Sequence, residues 1–348
     1  MNSTSLPSVD DIFAFIFSVQ IGQKNFFRFA GPIFIFIGTL SGILSLFVFT
    51  QKGLRKSPCS IYFIAYNIST LVLIYISFLP IILEIGYELT PTTYNLFLCR
   101  LRLYTTFLMN CLCPFYLLLA SVDRTLVTSP NARTRQRSTH RLAYQSIVIG
   151  TIIWIIGLSH VLVFSDLIRI ETGNTICYVQ LGWYSAAITY GSLIKEILIP
   201  SLMIIFGLTS IRNIRHVRIN ILTTTTASIS YYPNHTGNNN TNLNSARAKD
   251  RQLILMLLVD ITIYVFFSLI MAVTLMYEQI TRDKRKTLEK LHIELLIKSI
   301  AMFAAHIPFC INSYANLLVS KTFRKEVKEL FVCKKIVYTS QVSSNYNR

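Results

Sequence analysis

Two cysteines and one adjacent acid–base pair are the side chains here whose type and spacing carry chemistry. Cys99 and Arg124 lie 25 residues apart at the two ends of one nearly uncharged apolar stretch. At about 1.5 Å of helical rise per residue, that separation matches a bilayer with its interfaces. One end then faces an oxidising exterior and the other the cytoplasm. Five of the seven cysteines fall inside apolar segments or on the cytosolic side, which leaves Cys99 and Cys177 placed to pair outside. At the opposite end, Asp123 precedes Arg124 and offers an ion pair at the inner edge of the membrane. Cys111 and Cys113, one residue apart, point to different helix faces and serve packing rather than a metal, so no metal site is expected.

Further polar side chains stand in apolar surroundings. Asn110, Lys195, Glu196 and His306 are each suited to touch a ligand or to satisfy a neighbouring helix, and both roles stay open. Asp260, lower in its segment, fits an internal polar network. No Gly-x-Ser-x-Gly elbow, phosphate-cradling glycine loop or His/Asp metal cluster is present, so neither an enzyme nor a bound cofactor is expected. A transporter would show internal repeats or several buried acids, and no repeat is found.

The elements that must position these groups follow from composition. A chain of 348 residues, 52% hydrophobic, 14% charged and +0.50 in mean hydropathy, has too little polar surface for a soluble globule. Apolar windows at 29–50, 60–83, 97–122, 143–165, 184–209, 252–277 and 293–319 each approach the ~20 residues a helix needs to cross. The fold class is an all-α membrane protein, a seven-transmembrane helix bundle with a short amphipathic eighth helix. Residues 1–28 are read as an extracellular amino terminus, 29–319 as the membrane domain and 320–348 as a cytoplasmic tail.

Charge sets the sidedness. Lys and Arg number 3 in 51–58, 5 in 124–142, 6 in 211–251 and 7 after 319, 21 in all, against Asp123, Asp250, Glu326 and Glu329. The other 12 basic residues are balanced by 12 acids, so the formal charge of +17 sits on one face. The carboxyl terminus is therefore inside, the amino terminus outside, and nucleic acid is not a partner, because the basic residues are spread over four loops rather than one groove. The uncharged Thr/Ser/Asn-rich run within 219–246 reads as a flexible cytoplasmic loop. The segment 321–332 places Phe323, Val327, Leu330 and Phe331 on one face, as a helix on the inner leaflet would. Cys333 beside it is open to palmitoylation or stays a reduced thiol, and the sequon at Asn2 is open to glycosylation or escapes it. The basic third outer loop from Thr281 either attracts acidic peptides or is a solvated loop balanced by its own acids. Gly38-Thr39-Leu40-Ser41-Gly42 has the small-residue spacing of close helix packing, read as intramolecular.

Cys99, Asp123-Arg124, Trp154, Cys177, Pro200 and Phe323-Arg324 together give the chain, over about residues 28–332, a pattern that resembles the rhodopsin-like G-protein-coupled receptors. The SPCSIY stretch from Ser57 and SPNARTRQRS from Ser129 are similar to invertebrate neuropeptide-receptor-like members. The resemblance implies a plasma-membrane receptor in which Asp123, Arg124 and Thr125 serve G-protein coupling, with an extracellular ligand, a small neuropeptide, and a heterotrimeric G-protein as partners, in contact with membrane lipid. It also implies a ligand pocket between the outer halves of helices three, five, six and seven, with Thr106, Asn110, Lys195, Glu196 and His306 as candidates. Thr106 stands where amine receptors carry an acid, which argues against a small amine. The alternatives are a receptor for a non-peptide small molecule, one that has lost G-protein coupling, or a transporter. Five features depart from the family pattern: Thr70 replaces the second-helix acid, Gly42 the first-helix asparagine, Thr125 the third-helix tyrosine, Phe267-Ser268-Leu269-Ile270 the sixth-helix tryptophan and proline, and the seventh-helix motif reads Asn312-Ser313-Tyr314-Ala315-Asn316, without the proline and final tyrosine.

Overall fold

The structure, a computed structural model, describes residues 9–51, 54–55, 57–90, 95–169, 175–228, 237–282 and 284–329; for residues 9, 11–12, 169 and 216–250 it describes the backbone alone. Among these residues, seven helices are long and apolar enough to cross a membrane, which makes the chain a multi-pass membrane protein. They are α1 (Val9–Thr50), α2 (Cys59–Tyr87), α3 (Leu96–Thr128), α4 (His140–Gly157), α5 (Trp183–Ser228), α6 (Gly237–Thr281) and α7 (Leu288–Val319).

Local chemistry sets several of these ends. Asn95 starts α3 by accepting a hydrogen bond from the Phe97 backbone N–H at 2.8 Å, and Thr139 starts α4 by accepting from Leu142. α2 passes through a π turn at Ile74–Phe78 just before Pro80, where the missing proline N–H breaks the regular ladder. Glu88, in the left-handed region at φ 57°, ends it.

Some boundaries differ from those expected. α1 begins at Val9 and runs for 42 residues, so the segment read as an extracellular amino terminus is helical from residue 9 onward. The segment 219–246 read as a loop is helical to Ser228 and again from Gly237, with 229–236 outside the described residues. The all-α reading also missed a hairpin between α4 and α5: β1 (Ser165–Arg169) pairs antiparallel with β2 (Thr175–Val179), Leu167 opposite Cys177. Of the expected helix 321–332, residues 321–329 are helical and the rest, with Leu330, Phe331 and Cys333, lie outside the described residues, as does Asn2.

The bundle turns small and polar groups inward and leaves large apolar side chains on its outside. Ile153, Ile156, Phe266 and Val273 are exposed while Ser45, Asn67, Asp123, Arg124 and Asn316 are buried. That inversion is stable only where lipid replaces water. Phe303 of α7 plugs the contact with α1 and α2, its ring 5.1–5.5 Å from those of Phe27, Phe34 and Phe78. Beneath it, Gly38 faces Cys310 of α7 and Ile74 of α2, and Gly42 faces Leu71 of α2. The small-residue spacing in α1 is therefore used within the chain.

Among the glycines of the described residues, Gly86 of α2 approaches another backbone most closely, that of α1. A Cβ there would lie 2.9 Å from the Arg28 backbone nitrogen and 3.1 Å from its Cα, atoms that cannot swing aside. We expect Gly86→Ala to lower stability by about 1–3 kcal/mol. Gly22→Ala, where a Cβ meets nothing within 4 Å, should raise stability by up to about 1 kcal/mol through helix propensity. Thermal unfolding of the two variants in detergent checks the opposite signs.

Candidate functional site

Three consecutive residues near the carboxyl-terminal end of α3 reach three different elements, because neighbours on a helix point about 100° apart. Asp123 and Arg124 form an ion pair at 2.7 Å, and their side chains are 3% and 1% exposed. Asp123 Oδ1 accepts a hydrogen bond from Ser138 Oγ at 2.6 Å, in the connection to α4. Arg124 Nη2 donates to Ser57 Oγ at 3.1 Å, in the connection to α2. Thr125 Oγ1 donates to the Phe206 carbonyl and lies 3.0 Å from Ser210 Oγ, both on α5. The triplet thus draws the α1–α2 connection, the α3–α4 connection and α5 onto the end of α3. Arg124 is among the largest fully buried side chains, an environment in which an ionised guanidinium persists only beside a counter-charge.

At the other end of α3, Cys99 is bonded to Cys177 of β2, with Cα atoms 5.6 Å apart. Arg100 Nε also donates to the Ser165 carbonyl at 3.0 Å, so the hairpin is held to α3 at two adjacent residues. Among the described residues, Cys59, Cys111, Cys113 and Cys310 are buried and outside any disulfide.

Between these ends, the five residues read as a ligand pocket divide. Asn110, Lys195 and Glu196 come together: Lys195 Nζ pairs with Glu196 at 2.5 Å and donates to the Asn110 carbonyl of α3 at 3.3 Å. Glu196 accepts from Ser268 Oγ of α6, at its carbonyl at 3.1 Å and at its carboxylate. Asn110 Nδ2 is turned back to the Thr106 carbonyl at 2.9 Å, which leaves Thr106 joined to the cluster through its backbone. The result is a buried charge pair on α5 that bridges α3 and α6 near the middle of the bundle. Tyr264 of α6, 6% exposed, has no hydrogen-bond partner for its hydroxyl among the described residues.

His306 engages a different set. Its Nδ1 lies 2.7 Å from the Met302 carbonyl, which places the ring proton there, and Nε2 accepts from Ser77 Oγ of α2 at 3.4 Å. The ring stacks on Phe78 at 4.9 Å. Its hydrogen-bonding capacity is thus taken up by α7 and α2.

Polar groups of α7 also find partners. Ser313 donates its backbone N–H to Ser41 Oγ at 3.0 Å, a bond proline cannot make. Its hydroxyl meets Ser45 and the Ser41 carbonyl. Asn316 Nδ2 donates to both carboxylate oxygens of Asp260 at 3.2 Å. Asn312, with its amide nitrogen turned to the carboxylate, adds a bond of 3.0 Å. Thr70 Oγ1 of α2 donates to Cys113 Sγ of α3 at 3.9 Å. After α7, Phe323 is fully buried with its ring 6.1 Å from Phe49, and Arg324 Nη1 caps the Leu317 and Leu318 carbonyls.

Reading the sequence singled out Asp123, Arg124, Lys195 and Glu196 but missed Ser57, Ser138, Ser268 and Ser77, which hold or orient the charged groups and His306. A serine in an apolar run has no periodic signature of its own. Ser57 and Ser138 stand within the stretches SPCSIY and SPNARTRQRS, and Ser268 within Phe267-Ser268-Leu269-Ile270, but nothing in those stretches assigns them these contacts.

Compared with protein-family models and with curated proteins, the chain matches none.

The Lys195–Glu196 pair yields a measurable non-additivity. Lys195→Met or Glu196→Leu alone leaves one buried charge and should cost about 3–5 kcal/mol. The double variant should cost markedly less than the sum of the two. Melting midpoints of the three variants in one detergent test this coupling.

Proposed function

We propose that this chain is a receptor of the rhodopsin-like kind. It sits in the plasma membrane with its amino terminus outside, binds a small neuropeptide from the extracellular side and activates a heterotrimeric G-protein at its basic inner face. The observation that carries this reading is the buried Asp123–Arg124 pair, enclosed by Ser57 and Ser138 at the inner end of α3. A guanidinium held this way is a stored contact: released from its acid, it becomes a donor for an acidic or carbonyl-bearing surface. Twenty other basic residues that the sequence assigns to the same face favour an acidic partner.

A ligand acts by its differential affinity for two arrangements of the bundle. The Lys195–Glu196 pair supplies the bistable element, since Lys195 holds α3 and Glu196 holds Ser268 of α6. A ligand bearing a carboxylate or an ammonium competes for one member of the pair and loosens the other from its helix. The ligand's own charge then selects which helix is released.

A second reading, a seven-helix receptor that no longer couples, is favoured by α6. It contains no proline, and Ser268 ties it to α5 where the family has its kink. One experiment separates the two. With surface expression maintained, Arg124→Ala should reduce ligand-stimulated nucleotide exchange by at least about 100-fold, as expected when a charge-assisted contact is lost from the coupling interface. Undiminished exchange refutes the role of Arg124, and no exchange from the unaltered chain with any member of a neuropeptide library supports the uncoupled reading.

A further inference from the structure

The outer ends of α6 and α7 enclose a cavity of about 330 Å³ that neither the ion pair of α3 nor the cluster on α5 uses. Part of its lining is apolar, formed by Val273 of α6 and by Leu295 and Ile297 of α7. Val273 and Ile297 are 60% and 51% exposed, so this part opens sideways to the surrounding medium, which for a membrane-spanning helix is lipid. The rest of the wall is charged. Lys298 Nζ pairs with Glu278 at 2.7 Å across the two helices, Lys286 pairs with Glu294, and Tyr277 donates to Glu294 at 3.0 Å.

One acceptor in this wall is unsatisfied: on a Glu278 side chain that is 36% exposed as a whole, Oε2 is itself buried and has no hydrogen-bond partner among the described residues. A buried carboxylate oxygen without a donor is costly, and the cost is relieved by a ligand that brings an N–H. Two ammonium groups, Lys286 and Lys298, stand on the same rim and suit an anionic oxygen. The cavity therefore asks for one molecule with an N–H cation, a nearby anion and an apolar chain that lies along Val273 and Ile297.

We infer that the groove between α6 and α7 is a binding site for an aminophospholipid, with the primary ammonium on Glu278 and the phosphate on Lys286 and Lys298. Charge complementarity selects this occupant over others. A choline headgroup carries the same charges but no N–H, so it cannot satisfy Glu278 Oε2. The acyl chain accounts for the lateral opening, which a water-soluble peptide would leave uncovered. The site depends on the chain's place in the membrane and not on its being a receptor.

The test uses the full chain reconstituted in bilayers of equal phosphatidylethanolamine and phosphatidylcholine, released into mild detergent and weighed by native mass spectrometry. Phosphatidylethanolamine should be retained about tenfold over phosphatidylcholine, the ratio one charge-assisted hydrogen bond supports. N-methylating the headgroup should lower retention stepwise as N–H groups are lost, a readout that needs no variant and so does not depend on folding. Glu278→Gln should bring the preference below about threefold, and Lys298→Met should weaken retention of both lipids. Equal retention of the two lipids, or a preference unchanged in Glu278→Gln, overturns the proposal. Displacement of the lipid by a water-soluble peptide would overturn it as well, in favour of a peptide site.

Discussion

A guanidinium buried to 1% exposure inside an apolar bundle is the constraint on which the rest of the inner face depends. Taking that ion out of water costs several kcal/mol, and one carboxylate offsets the cost only when the remaining donors and lone pairs are also met. Asp123 supplies the charge, Ser57 supplies an acceptor for the arginine, and Ser138 supplies a donor for the acid. Because these two serines belong to the α1–α2 and α3–α4 connections, satisfying the pair also fixes where both connections cross the end of α3. Thr125 extends the same end to α5.

The same logic recurs at other depths. In lipid, apolar contacts between helices have little advantage over contacts with acyl chains, so close backbone approach and hydrogen bonds must do the joining. α1 meets α7 through Ser41, Ser45 and Ser313; α6 meets α7 through Asp260, Asn312 and Asn316; α5 meets α3 and α6 through Lys195 and Glu196. Each joint places a polar group of one helix against one of another. A ligand that exchanges one such partner acts on the relative position of two helices, which is how small contacts become large displacements.

How much of this was legible in the sequence depended on whether a feature leaves a pattern. The seven apolar runs, the Cys99–Cys177 bond and the Asp123–Arg124 neighbours could be read directly, since hydropathy, sidedness and adjacency are properties of the chain itself. The early start of α1 was not, because Asp10, Lys24 and Arg28 lower the hydropathy of residues that are nevertheless helical. The hairpin at Ser165–Val179 was hidden for a different reason: two five-residue strands beside long apolar helices give too short a period to stand out. Partners such as Ser138 and Ser268 become visible only in three dimensions. His306 shows the converse, a residue correctly singled out as buried and polar whose ring nitrogens are turned to Met302 and Ser77.

The central claim is that Asp123 holds Arg124 in a closed arrangement at the inner face. Its most direct test is the ligand-independent rate of G-protein nucleotide exchange in Asp123→Asn, a change that keeps the side chain's shape and removes its charge. The account predicts a basal rate several-fold above that of the unaltered chain at equal surface expression, because the arginine is no longer retained. A basal rate equal to or below that of the unaltered chain would contradict it.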